Sequence, residues 1–243
     1  MLELVNLSKS YGKKAALSQV SFTLESGLYG LLGPNGAGKS TLMQIMTDNL
    51  LPDEGEVLWK GESARKMGER YRELLGYMPQ QQGLYKGFTG RRFLNYLAVL
   101  KNVPKKEREE QVEAAAKAVN LETELERKIG GYSGGMKQRL LFASALLGKP
   151  EILIFDEPTA GLDPKERVRI KKLMEQLSRD KIIVIATHIV PDIENIAKEI
   201  ILLKEGKVVE KQKPEVLIEK YAGEGSLEDV YMHIFGQEGG KVE

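Results

Sequence analysis

The 243 residues, 42% of them hydrophobic, can bury a sizeable core as one domain or as one domain with a subdomain. Lysine and arginine total 36 against 35 aspartates and glutamates, so the net charge of +1 favours neither nucleic acid nor an anionic membrane surface as a partner. The chain has no cysteine, which excludes disulfides and thiol catalysis and fits a reducing compartment. Its apolar runs fall short of the ~20 residues of a spanning helix, and the N-terminus lacks a signal-peptide core. We therefore expect a folded chain that reaches a membrane only through a partner.

The N-terminal part shows strand patterns that lead into a glycine-rich turn. Val20, Phe22 and Leu24 alternate with polar residues, which indicates a half-buried strand. The apolar run 28–32 predicts another strand, and a helix is predicted to begin near Lys39, after the turn. Strand, glycine turn and helix in this order indicate an α/β core.

The middle of the chain reads as helical, and strand patterns return after it. Residues 84–147 carry apolar side chains at helical spacing, which predicts a helical insertion. The short β-branched and aromatic runs 152–155 and 182–186 predict central parallel strands that are covered on both faces. Between these strands, Asp163 followed by Pro164 predicts the start of a helix.

The segment GPNGAGKST, residues 33–41, fits the phosphate-loop pattern G-x-x-x-x-G-K-[ST]. It lies between a predicted strand and a predicted helix, as that pattern requires. The glycines allow main-chain amides to surround phosphates, Lys39 supplies charge to the outer phosphates, and the Ser40 hydroxyl is placed to ligate Mg²⁺. The predicted phosphate-binding residues are Gly33, Pro34, Asn35, Gly36, Ala37, Gly38, Lys39, Ser40 and Thr41.

Two adjacent carboxylates, Asp156 and Glu157, follow the apolar run 152–155. Such a pair is costly without a cation, and Mg²⁺ bound with a nucleotide would remove that cost. Asp156 is predicted to hold the metal, usually through water, and Glu157 is predicted to activate the attacking water as a general base. A solvated pair at a strand end is the alternative, which the nearby phosphate loop disfavours.

A second glycine segment, YSGGMKQR at residues 132–139, raises the question of why one chain needs two. Ser133, Gly134 and Gly135 offer a hydroxyl and main-chain amides ahead of a helix, which suits an anion. An ordinary helix start is the alternative. His188, after the second buried strand, and Gln80, after Pro79, are further candidates for which plain loop residues are the alternative.

The order of these motifs resembles that of the nucleotide-binding subunits of ATP-binding cassette (ABC) transporters. In chain order the segments are GPNGAGKST, PQ, YSGGMKQR, ILIFDEP, AGLD and ATH. The resemblance runs from Leu2 to about Val209, with Tyr132 and Met136 departing from the commonest signature. It implies an α/β fold: a P-loop ATPase core with a mainly parallel sheet, an N-terminal antiparallel β subdomain and a helical insertion. The resemblance implies one ABC ATPase domain over residues 1–243. Residues 1–83 would form the β subdomain and the phosphate-loop part of the core, and 84–147 the helical insertion with the signature motif. Residues 148–210 would form the rest of the core, and 211–243 a C-terminal extension.

The resemblance also implies how single residues would act on ATP and Mg²⁺. Tyr11 would stack on adenine, with an ordinary core or surface tyrosine near a strand end as the alternative. Gln80 would sense Mg²⁺ and the attacking water, and His188 would contact the γ-phosphate. Residues 133–135 would bind the γ-phosphate of ATP held by a second copy in a head-to-tail homodimer. Asp163, in a segment that crosses the dimer interface, would also reach the nucleotide.

A membrane partner is implied as well. An integral membrane permease subunit would dock a short helix on the region around Gln80 to Phe88, with Leu84 and Tyr85 helping to line the cleft. Packing inside the insertion is the alternative for these apolar side chains. The chain would then be cytoplasmic and peripheral on the inner face of the cell membrane, and no nucleic acid is expected as a partner.

Three kinds of cassette compete. An exporter subunit is favoured, because YSGGMKQR, THIVPDIENIA and SLEDVYMHIFG resemble cassettes of drug, peptide and polysaccharide efflux systems. An importer subunit is the runner-up, since the shared motifs do not encode direction. A soluble ATPase of translation or DNA repair is disfavoured, because such relatives carry two cassettes in one chain or long coiled coils. After Lys211 we predict a packed helix, with regulation or dimerisation as the alternative.

Overall fold

The structure is a computed structural model that describes residues 1–80 and 83–236. Gln81, Gln82 and residues 237–243 lie outside the described residues. They include most of the ending GQEGGKVE, residues 236–243, for which the sequence predicts a frayed terminus. The chain divides into two compact units. The first unit comprises Met1–Gly68 and Val184–Glu243, and the second comprises Glu69–Ile183.

Strands dominate the start of the first unit, and helices dominate the second. The first unit begins with β1 (Leu2–Tyr11), β2 (Lys14–Leu24), β3 (Gly27–Leu32), α1 (Lys39–Met46), β4 (Glu54–Trp59), β5 (Glu62–Ser63) and α2 (Ala64–Met67). The second contains α3 (Glu69–Glu73), β6 (Leu75–Met78), α4 (Gly90–Leu100), α5 (Lys105–Ala118), 3-10 turns at Glu122–Glu124 and Ile129–Gly131, α6 (Gly134–Leu146), β7 (Ile152–Asp156) and α7 (Pro164–Leu177). After β8 (Ile182–Ala186), which crosses the boundary, the first unit resumes with a 3-10 turn at Val190–Asp192, β9 (Glu199–Lys204), β10 (Lys207–Gln212), α8 (Pro214–Tyr221) and α9 (Leu227–Phe235).

The first unit combines an antiparallel sheet with a parallel strand pair. The antiparallel sheet has the order β2-β1-β4-β5, and the predicted alternation in β2 is confirmed because Val20 and Leu24 are buried between exposed neighbours. Strand β3 is buried along its whole length, pairs in parallel with β9, and leads directly into the predicted glycine turn. Strand β10 pairs with β9 in the antiparallel sense. The predicted helix begins at Lys39.

In the second unit a long helix packs closely on two parallel strands. Strand β6 pairs in parallel with β7. The Phe142 ring of α6 stacks on Phe155 of β7 with a centroid separation of 4.5 Å. A Cβ on Gly76 of β6 would lie 2.2 Å from the carbonyl oxygen of Ala145, so glycine allows the close approach of α6. Helix α6 is therefore anchored beside the strand that ends at Asp156.

The fold is mixed α/β with an antiparallel sheet and a mostly parallel sheet, as the sequence predicts. Residues 84–147 hold α4, α5 and α6, and the predicted helix start at Asp163 is confirmed by its N-cap position on α7. Between Lys211 and Gly236, where the described residues end, the chain forms two helices, α8 and α9. Among the described residues, no helix has both the length and the apolar character needed to cross a bilayer.

Candidate functional site

The phosphate loop, residues 33–41, joins β3 to α1 in the first unit. A Cβ on Gly33 would lie 2.2 Å from the Leu203 carbonyl oxygen. Gly38 has a φ of +107°, and a Cβ there would lie 2.4 Å from the Ala16 carbonyl oxygen. Both glycines are therefore required by the protein's own backbone, before any phosphate is considered. The loop passes too close to β9 and β2 for any other residue at these positions.

Polar and cationic groups surround this loop. The Lys39 ammonium donates to the carbonyl oxygens of Gly33 at 2.5 Å and Pro34 at 3.0 Å, which folds it over the loop. Ser40 is exposed in the first turn of α1. In the first turn of a helix the main-chain amides have no acceptor within the helix, so they are available to an anion. The Lys14 ammonium would lie 4.0 Å from a Cβ on Gly36, a second cation that the motif pattern does not indicate.

Two other predicted residues belong to the first unit. Tyr11 is the last residue of β1, and its side chain is 53% exposed, so its ring is accessible for stacking. His188 is exposed in the segment after β8. Before it, Thr187 is buried and its hydroxyl oxygen accepts from the Ile189 amide at 3.0 Å, which shapes the turn that carries His188.

The acidic pair ends β7 in the second unit. Asp156 is half-buried, and Glu157 is buried with a φ of +54°, a left-handed conformation that is unusual for a residue with a Cβ. Burial, and then the negative charge of Asp156, raises the pKa of the Tyr77 hydroxyl on β6. Gln80 is exposed two residues beyond the end of β6. Strands β6 and β7 are parallel, so Gln80 and the acidic pair follow the same ends of neighbouring strands.

The second glycine segment forms the start of α6. Ser133 is the N-cap, and its hydroxyl oxygen accepts from the Met136 amide at 3.2 Å, which leaves the hydroxyl proton able to donate elsewhere. Around Gly134, apart from its chain neighbours and the backbone of its own helix, no heavy atom of the described chain lies within 4 Å of where a Cβ would stand. A Cβ on Gly135 would lie 3.7 Å from both Gly161 O and Leu162 Cδ2. The exposed helix start therefore adjoins the AGLD segment of the same unit.

That AGLD segment ends in a helix cap. The Asp163 carboxylate accepts from the Glu166 amide at 3.0 Å, while the side chain of Leu162 is buried. Asp163 itself is exposed at the start of α7. Its cap role explains the local structure by itself, so its predicted contact with nucleotide stays a prediction.

One residue that sequence reasoning missed is Gln138 of α6. Its side-chain amide donates to the Glu157 carbonyl oxygen at 2.7 Å. The only signal in the sequence is its position four residues after Gly134, which places the two on one face of a helix.

Each of the two units offers an oxygen donor of a kind that suits Mg²⁺. Among residues 1–80 and 83–236, no three histidine, cysteine or acidic side chains are grouped so that they could hold a metal by themselves. Mg²⁺ commonly takes one or two protein oxygens and completes its shell with phosphate and water oxygens. The Ser40 hydroxyl and the Asp156 carboxylate are hard oxygen donors of that kind.

Comparison with known proteins identifies the family. Residues 17–160 match the family described as ABC transporter. The chain is 37% identical over 209 residues to the uncharacterized ABC transporter ATP-binding protein YxlF of Bacillus subtilis (strain 168), spanning 86% of this chain and 69% of that protein. It is 34% identical over 224 residues to Nod factor export ATP-binding protein I of Rhizobium sp. (strain N33), spanning 91% and 74%. A dimeric ATP-binding cassette solved in a post-hydrolysis state with ADP and Pi has a TM-score of 0.80 at 28% identity, with 88% of this chain and 98% of that chain covered. The chain therefore belongs to the ABC transporter family and is an ATP-binding, ATP-hydrolysing subunit of a transporter.

Proposed function

We propose that two copies of this chain bind ATP between them, head to tail, and that closure of this dimer drives export through separate membrane subunits. The observation that carries the proposal is a pair of glycine-containing segments at helix starts, the phosphate loop before α1 and residues 133–135 before α6, and each has a backbone suited to an anion. A single ATP needs one such cradle, so the second one points to a nucleotide held by another copy. The similar cassette solved as a dimer with ADP and Pi supports this arrangement.

Within each copy the phosphate loop holds the nucleotide. The amides of residues 33–41 cradle the phosphates, and Tyr11 stacks on the adenine. Lys39 moves its hydrogen bonds from the carbonyls of Gly33 and Pro34 to phosphate oxygens, because charge-assisted hydrogen bonds to an anion are stronger. This exchange makes the loop ready for ATP without a large rearrangement.

The acidic pair and its neighbours carry out the chemistry. Ser40, Asp156 and Gln80 would hold Mg²⁺, which when bound neutralises the phosphate charge that develops in the reaction. Glu157 accepts the proton of the attacking water, and His188 contacts the γ-phosphate. Residues 133–135 of the other copy close on the same phosphate, while Asp163 lies near the dimer interface.

An exposed aromatic cluster is suited to a membrane partner. We define the aromatic cluster as Tyr85, Phe88 and Tyr96: Tyr85 stacks on Phe88 at 5.0 Å between centroids and meets the Tyr96 ring edge-on at 6.0 Å. Tyr85 is 51% exposed and Tyr96 is 41% exposed, whereas Leu84 and Phe88 are half-buried. The rings therefore pack on one another and still leave an apolar face open. A short helix of an integral membrane permease would lie on it, which would hold this chain on the cytoplasmic face of the membrane.

Export is the direction that the relatives favour. The Rhizobium relative is named for Nod factor export, and the alignment with it spans 91% of this chain. The efflux-like segments SLEDVYMHIFG and THIVPDIENIA point the same way. Import is the second candidate, because the ATP-binding motifs are common to both directions.

The dimer is tested with Glu157→Gln at saturating ATP and Mg²⁺. We expect light scattering to give twice the monomer mass, because ATP still closes the dimer while the attacking water is poorly activated. Adding Lys39→Ala should return the mass to that of the monomer, since the phosphates then lose their cation. A Glu157→Gln protein that stays monomeric at saturating ATP contradicts the head-to-tail dimer.

A further inference from the structure

The main chain of Glu157 is held by a side chain from α6. Its carbonyl oxygen accepts from Gln138 Nε2 at 2.7 Å and from the Ala160 amide at 3.2 Å. The φ of +54° at Glu157 is disfavoured for a residue with a Cβ and persists only where the surroundings hold it. The bond from Gln138 therefore helps to fix the direction in which the Glu157 carboxylate points.

The same helix begins at the residues proposed to meet the other copy's ATP. Gln138 follows Gly134 by four positions, so both lie on one face of α6, about 6 Å apart along the axis. Side chains on a helix lean toward its N-terminus, which brings the Gln138 amide toward that first turn. A shift of the first turn of α6 would therefore move the Gln138 side chain, and through its hydrogen bond the Glu157 carbonyl.

Helix α6 is braced so that it moves as a rigid element. Arg139, next to Gln138, donates through Nη1 to the carbonyl oxygens of Val119 at 2.9 Å and Asn120 at 2.6 Å. These carbonyls close the C-terminal end of α5, where a helix leaves acceptors unpaired. Further along α6, Phe142 stacks on Phe155 of β7. The stack fixes the later turns of α6 to β7, so a rotation of α6 would be largest at the start of the helix, where Gln138 would carry it to Glu157.

We propose that Gln138 is a positioning residue that makes hydrolysis at Glu157 depend on the ATP held by the other copy. This inference rests on the proposed function, because it needs residues 133–135 to face a second ATP. When that ATP seats the first turn of α6, Gln138 holds Glu157 so that its carboxylate can accept the proton of the water. When no phosphate meets that turn, α6 shifts and the carboxylate loses its alignment. Each site is thereby coupled to the occupancy of the other.

The first test replaces Gln138 by methionine, which keeps the length and helix propensity of the side chain but removes the donor. We expect kcat to fall on the order of 10- to 100-fold, because misplacement of a base by about 1 Å costs that much. KM for ATP should stay within about twofold, and Glu157→Gln with Gln138→Met should still form the ATP dimer. The matched control is Gln111→Met, which also removes a side-chain bond to the main chain, from the Gly148 amide at 2.9 Å. Equal kcat values for Gln138→Met and Gln111→Met, or loss of the ATP dimer, would overturn the inference.

The second test measures coupling in mixed dimers. One copy carries Lys39→Ala and binds no ATP, and hydrolysis is measured per intact site. With wild-type Gln138 in the intact copy, the mixed dimer should hydrolyse more slowly per intact site than the homodimer. With Gln138→Met in the intact copy, the two rates should be equal. A contact that is merely structural would lower both rates and preserve their ratio, which would overturn the proposal.

Two outcomes separate this inference from the function on which it rests. If Glu157→Gln hydrolyses ATP at the wild-type rate, the proposed function itself fails. If Glu157→Gln is inactive while Gln138→Met matches Gln111→Met, only the role of Gln138 fails. Should Gln138→Met not fold, Gln138→Asn takes its place, because its amide is one methylene too short to keep the 2.7 Å bond. The same fall in kcat and loss of coupling are expected of it.

Discussion

At the scale of single residues, Lys101 shows what burial does to a charge in this chain. It follows α4 as the C-cap, and its ammonium donates to the carbonyl oxygens of Leu75 at 3.2 Å, Ala145 at 3.4 Å and Leu147 at 2.9 Å. Burial lowers the pKa of Lys101 to about 8. The cation thus joins the ends of α4, α6 and β6, at the cost of removing a charge from water.

This burial predicts that the free energy of unfolding depends on pH. The folded pKa of about 8 lies below the value of about 10.4 for an unfolded lysine. Between these values the unfolded chain binds more protons, so the contribution of Lys101 to stability increases with pH, by about 3 kcal/mol at most. Denaturant unfolding from pH 8 to 10 should therefore show a steeper rise for the wild type than for Lys101→Met. Lys106→Met, at an exposed lysine of α5, should keep the wild-type slope. Equal slopes for the wild type and Lys101→Met would contradict the prediction.

At the scale of elements, α4 combines a buried face with a surface that is unusually apolar. Phe93, Leu94 and Ala98 pack inward, while Val99 is 47% exposed and Leu100 is 61% exposed. The Arg92 guanidinium lies 4.3 Å from the centroid of the Phe88 ring, which places a cation at the rim of the aromatic cluster. Apolar area of this kind beside a charged rim is typical of a protein–protein contact.

A charge on the aromatic cluster should release the membrane partner. We expect Tyr85→Glu to lower the amount of chain that co-purifies with its permease on the order of tenfold or more, because burial of an unpaired carboxylate in an apolar contact is costly. The ATP-dependent dimer should still form in the Glu157→Gln background. Val168→Glu on α7, where the valine is 52% exposed, is the matched control and should co-purify normally. Normal recovery of Tyr85→Glu with the permease would place the docking surface elsewhere.

At the scale of the whole molecule, the chain hydrolyses ATP, and transport itself is carried out by the membrane subunits that bind the chain. We expect affinity capture of the tagged chain from detergent-solubilised membranes to recover a polytopic membrane protein without a cassette of its own. An extracytoplasmic binding protein in the same complex would overturn export in favour of import. Recovery only with ribosomes or DNA-repair factors would contradict the transport assignment.

Local sequence patterns were sufficient to locate much of the fold and the candidate site. The glycine spacing of residues 33–41 predicted a loop between β3 and α1, and the apolar runs predicted β7 and β8. The Asp163-Pro164 pair marked the start of α7, because capping chemistry is confined to a few neighbouring residues. The roles of Tyr11, Gln80 and His188 in ATP binding and hydrolysis came from resemblance alone and stay predictions.

By itself the sequence determined the motifs, their order and most of the elements that carry them, because each depends on residues a few positions apart. Only the tertiary structure decided how those motifs act on one another. Gln138 bonds to Glu157 across 19 positions, and Gly33 is required by the carbonyl of Leu203 on another strand. The left-handed backbone of Glu157 likewise carries no local signal, since the sequence offers a glutamate where a glycine would be expected. Such contacts depend on how distant segments pack, and periodicity along the chain does not encode them.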